Sequence, residues 1–149
     1  MIRKRYEDSI CYMIDPVFYE ANIDGRKVVL LEQGEGALPD SETSIFEDAE
    51  QLELAVNHVH IFYRVRKRER KRIREISIAI MQNLGRALME SFPEKDFWLL
   101  LELNYKDSII LRFCQIYDDK INPFDEEPAK FPFELIAIRA KKQKLYRLI

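Results

Sequence analysis

The chain has 149 residues, 47% of them apolar, including nine Phe, seven Tyr and one Trp. That is the length of one domain, and at this size roughly 68–70% of the unfolded surface is buried, so no metal or disulfide is needed to close a core. Charged residues make up 34% but the formal net charge is −2, with only four Gly; the balance has no overall sign pointing to nucleic acid, and few glycines remain for a phosphate-cradling loop.

The opening Met1-Ile2-Arg3-Lys4-Arg5-Tyr6-Glu7-Asp8 is basic and lacks the apolar stretch of a signal peptide. No run approaches the ~20 apolar residues of a membrane span. The expected compartment is the cytoplasm, with no membrane partner. Cys11 and Cys114 each sit in an apolar run and read as buried free thiols. Ile10–Ile14 reads as an early strand, ended by Pro16. Asp24-Gly25, between Val17–Ile23 and Arg26–Leu31, supplies the positive φ angles of a tight turn and predicts a β-hairpin. Gln33 to Asp40 is loop.

Ser44-Ile45-Phe46-Glu47 has the capping-box form. Ile45, Ala49, Leu52, Val56, Val59 and Tyr63 then recur at helical spacing, predicting a first helix. Ile73, Ile76, Ile80, Leu84 and Leu88 predict a second, ending near Phe92-Pro93. One straight helix from Ser44 to Phe92 would be roughly 73 Å long. A compact domain of this size has a radius of gyration near ~15 Å, so the chain must turn between Asn57 and Glu69. Phe97, Leu99, Leu101, Leu103 and Tyr105 alternate, as do Ile109, Leu111, Phe113 and Tyr117, around Lys106-Asp107-Ser108. They predict a second hairpin with one core face. Phe133–Arg139 is a last strand. The expected fold is a single α+β domain over 1–149, an antiparallel sheet in the order ββ-αα-βββ packed against two helices.

Chemistry is sparse. His58 and His60 would share a face in a strand and diverge in a helix; the helical stripe through Tyr63 favours divergence, and no third ligand follows by spacing. There is no G-x-S-x-G, H-E-x-x-H, Walker loop or G-x-G-x-x-G. We therefore expect no enzyme activity, no catalytic residue, no metal and no cofactor. Arg64, Arg66, Lys67, Arg68, Arg70, Lys71, Arg72 and Arg74 are opposed only by Glu69. They read first as a solvated junction whose cations meet acidic neighbours, with nucleic-acid binding through Arg64–Arg72 as the alternative. Acids segregate too: residues 1–58 hold thirteen Asp/Glu against five Lys/Arg. The loop after the second hairpin adds Asp118, Asp119, Asp125, Glu126 and Glu127 around Phe124. An acidic loop with an aromatic tip suits a basic protein partner, so these residues are the first candidate interface. The acidic segment Glu32–Glu53 is the second.

Asn57-His58-Val59-His60, the helix to Phe92-Pro93, and the hairpin Phe97–Tyr117 with Leu111-Arg112-Phe113 and Gln115 form a pattern of elements over about residues 55–120. It resembles small immunity proteins that accompany bacterial polymorphic or contact-dependent toxins. The resemblance implies a cytosolic protein without enzyme activity that blocks a cognate toxin domain, one that is basic if it attacks nucleic acid.

Overall fold

The structure is a computed structural model and describes residues 15–23, 25–36, 49–117, 132–141 and 144–147. Its class is α+β: the described residues form two antiparallel sheets and two α-helices. Phe18–Ile23 (β1) pairs with Arg26–Leu31 (β2), with Ile23 opposite Arg26. Asp24-Gly25 is therefore a two-residue connection, and Gly25 takes φ 76°, where a side chain would be strained.

The first helix described, α1 (Ala49–Val56), ends before the Val59 and Tyr63 of its expected apolar stripe. His58–Tyr63 is a strand, β3, instead of the helix expected through Tyr63. The apolar positions here fit both periods: Val56, Val59 and Tyr63 fit 3.6, while Val59 and Ile61 fit 2. A run of β-branched and aromatic residues beside an open strand edge settles for pairing. A register shift between His60 and Phe62 lets both Ile61 and Phe62 bury, and leaves Tyr63 half exposed. The chain turns where expected, through a 3-10 turn at Lys67–Glu69 into α2 (Arg70–Ser91). Helix α2 buries Ile73, Ile80, Leu84 and Leu88 of the expected stripe, and Ile76 packs beside them.

Phe97–Leu103 (β4) and Ser108–Gln115 (β5) form the second hairpin. Glu134–Lys141 (β6) and a further strand, Lys144–Arg147 (β7), complete a five-stranded sheet ordered β3-β5-β4-β6-β7. The four residues of β7, Lys-Leu-Tyr-Arg, are too short a run to announce a strand. Helix α2 covers one face of this sheet, over Leu99, Leu101, Ile109, Leu111 and Ile138. The second face is buried as well. Trp98, Leu100, Cys114, Leu135 and Ala137 cluster there under Leu54 of α1, Ile116 and Phe133. Cys114 is buried in this cluster. Among the described residues no helix is long and apolar enough to cross a membrane. Ile10–Ile14, Cys11 and the Ser44–Glu47 capping box lie outside the described residues.

Candidate functional site

The two sheets meet at the end of α1. Strand β3 begins at His58, opposite Arg112, so the N–H groups of Phe113 and Gln115 lie beyond its end. Glu53 and Asn57, four apart on α1 and its last turn, occupy the gap. The Asn57 carbonyl accepts from Phe113 N (3.3 Å), and Glu53 Oε2 accepts from Gln115 N (2.9 Å). On the other side Asn57 Oδ1 accepts from Leu31 N (2.9 Å) and its Nδ2 donates to the Val29 carbonyl (2.8 Å). The Val29 amide also bonds to Glu53. A carboxyl and an amide thus stand in for a strand between β2 and β5. Both residues are fully buried, and buried polar groups are tolerated only when hydrogen-bonded in this way.

The network continues outward. Lys95 Nζ donates to Gln115 Oε1 (3.0 Å), which turns the Gln115 amide nitrogen toward Glu53 Oε1 (2.9 Å) and the Tyr117 oxygen (2.8 Å). The Tyr117 hydroxyl rests against Glu53 and lies 3.2 Å from the Lys27 carbonyl. Burial pushes the Glu53 carboxyl from its ordinary 4.5 up to about 8, against the opposing pull of hydrogen bonds from Gln115 and Val29 and the Lys95 charge. Tyrosine has one hydroxyl hydrogen. With Glu53 neutral, its proton bonds the Tyr117 oxygen and the Tyr117 hydrogen goes to Lys27. With Glu53 ionised, the Tyr117 hydrogen turns to the carboxylate. A fully buried carboxyl meets no substrate. Sequence reading placed Glu53 in an acidic surface; it is instead interior, and only its position beside Leu52 and Val56 hinted at that.

His58 and His60 share a face of β3, contrary to the divergence expected of a helix, with ring centroids 5.5 Å apart. Their Nδ1 atoms are engaged separately, His58 with the Ala55 carbonyl (2.9 Å) and His60 with Glu35 Oε2 (3.1 Å). Glu35 also caps the outward edge of β3: its N–H donates to the His58 carbonyl (2.8 Å), and its carboxylate accepts from His60 N. Among the described residues no group of three His, Cys, Asp or Glu could hold a metal. A shallow depression of about 400 Å³ is lined, among the described residues, by Arg86, Met89, Glu90 and Leu145.

Of the basic run, Arg74 meets an acid, with Nη2 2.7 Å from Glu134 Oε1. The Arg70 guanidinium lies over the Tyr105 ring at 5.3 Å. Arg64, Arg66, Lys67, Arg68, Lys71 and Arg72 are exposed and make no ion pair among the described residues. The expected junction of cations with acidic neighbours is seen for Arg74; for the other six no acidic partner lies among the described residues. The acidic candidates Asp118, Asp119, Phe124, Asp125, Glu126 and Glu127 lie outside the described residues. Their root, Tyr117, is the outermost member of the Glu53 network. Comparisons of the chain with protein families, with curated proteins and with solved structures find no match.

Proposed function

We propose that this is a cytoplasmic bacterial immunity protein, without enzyme activity, that binds and neutralises a basic toxin domain through the acidic segment following Tyr117. The observation that supports this reading is the root of that segment. Strand β5 delivers Tyr117 to a buried network tied to α1, β2 and Lys95, so the residue preceding that segment is held in place. Binding segments are characteristically carried on such rigid frames. Opposite charge speeds encounter, by ~10–10³-fold in steered pairs, and an aromatic anchor slows release.

The test is binding and protection against the toxin domain encoded beside it. Charge reversal at Asp118, Asp119, Glu126 and Glu127 should slow association and flatten its salt dependence. Phe124→Ala should mainly speed dissociation. Wild-type behaviour in both variants would remove this segment from the interface. Failure of the unaltered chain to bind any co-encoded protein would end the immunity reading.

A further inference from the structure

We propose that the basic end of the fold is a single-stranded nucleic-acid surface, in which Arg64, Arg66, Lys67, Arg68 and Arg72 hold the phosphate backbone and the Tyr63 ring carries a base. It is built from residues other than those of the acidic segment. All five cations are exposed and free of ion pairs among the described residues. Four are Arg, whose planar fork matches phosphate oxygens two at a time.

The backbone beneath them is held: Arg64 N donates to the Asp107 carbonyl and Val65 N to the Tyr105 carbonyl, each at 2.9 Å. Arg64 itself sits at φ 47°, an uncommon angle for a side-chain-bearing residue. Lys71 and Arg72 stand in the first turn of α2, which has no acid and no side-chain cap. Positive charge there opposes the helix dipole, so the arrangement suits a bound anion better than an empty surface.

Tyr63 distinguishes the class of polyanion. It is 50% exposed, directly precedes Arg64, and its ring stacks on His60 at 5.7 Å and 10°. His60 is in turn held by Glu35. A propped, exposed ring one residue before the first of these cations offers a stacking platform, which only unpaired bases can use. A duplex or an acidic protein would use the charges alone.

Fluorescence anisotropy of the full chain decides, with labelled oligouridylate, a duplex of equal length and polyglutamate as probes. With about five phosphates engaged, the log–log salt slope for oligouridylate should be near −3.5, a loss of about 100-fold between ~50 and ~200 mM salt. Arg66→Ala with Arg68→Ala and Arg72→Ala should flatten the slope. Tyr63→Ala and Tyr63→Leu should each weaken oligouridylate about tenfold and leave the other probes unchanged. These positions are exposed, and circular dichroism checks that the variants fold. Absence of binding at low salt overturns the proposal. So does equal or tighter binding of duplex or polyglutamate with no effect at Tyr63, which would mark a docking surface for duplex or for an acidic protein. Because the chain is tested without a toxin, either proposal can fail alone.

Discussion

Glu53→Gln probes the stitched junction most directly. In the folded chain the Glu53 carboxyl binds its proton up to about pH 8, whereas its ordinary value is 4.5. Between these values the folded state holds a proton that the unfolded state has released. Stability from this group is therefore fully present below pH 4.5 and is lost as pH rises toward 8. The slope is about 1.4 kcal/mol per pH unit, and the whole window corresponds to at most about 5 kcal/mol.

Glutamine cannot ionise, so the variant lacks this loss. It carries a different defect. With its oxygen facing Gln115 N, its amide nitrogen faces the Gln115 amide nitrogen, which now donates to Glu53 Oε1. Two opposed donors cost about 1 kcal/mol or slightly more. The variant should thus be less stable than wild type at pH 4.5–5 and more stable at pH 8, with the curves crossing about one pH unit above the ordinary carboxyl value. Urea denaturation across this range measures both chains, and their difference isolates Glu53 from every other titrating group. A difference independent of pH, or one favouring wild type more strongly as pH rises, would mean an ionised interior carboxylate and would refute the reasoning.

Asn57→Ala leaves the Leu31 amide and the Val29 carbonyl without their partners in a buried gap. It should cost about 3 kcal/mol in urea denaturation with little change in m-value, since unmet buried groups cost ~1–3 kcal/mol each; a loss below about 1 kcal/mol would show that these bonds do little for the junction. Gly36→Ala places a Cβ 2.0 Å from the Ala55 carbonyl oxygen and 2.6 Å from Val56 Cα, both backbone atoms. The loop must lift, at about 1–3 kcal/mol, and the His60 amide should exchange hydrogen faster. Unchanged exchange there would show that the loop adapts without leaving β3.

The parts of the fold legible in sequence are those where one physical signal dominates. Asp24-Gly25 names its turn because few residue pairs accept those angles, and the Ile73–Leu88 stripe is too long to be anything except a helix. His58–Tyr63 is ambiguous in sequence because its apolar spacing satisfies two periods, and the deciding factor, an unpaired β5 edge, lies about fifty residues away. The second buried face was hidden in plain form. Phe97-Trp98-Leu99-Leu100-Leu101 is a continuous apolar run, the mark of a strand covered on both sides, but alternation was read first. Glu53 is the harder case. Whether a carboxyl on a helix is solvated or interior depends on what arrives from β2 and β5, and its place beside Leu52 and Val56 is only a faint local sign of that.

The outward rim of β3 has a consequence for how copies of this chain meet. A bare sheet edge is a template for another strand, from the same protein or a misfolded one. Here Glu35 occupies the His58 carbonyl and the His60 amide, so an incoming strand finds its first hydrogen-bonding positions already taken. The stopper is a loop, and loops open locally at far lower free energy than core strands. Any condition that lifts residues 34–36 without unfolding the domain would turn a finished rim into an unfinished one, and fibrous or swapped assemblies would begin there.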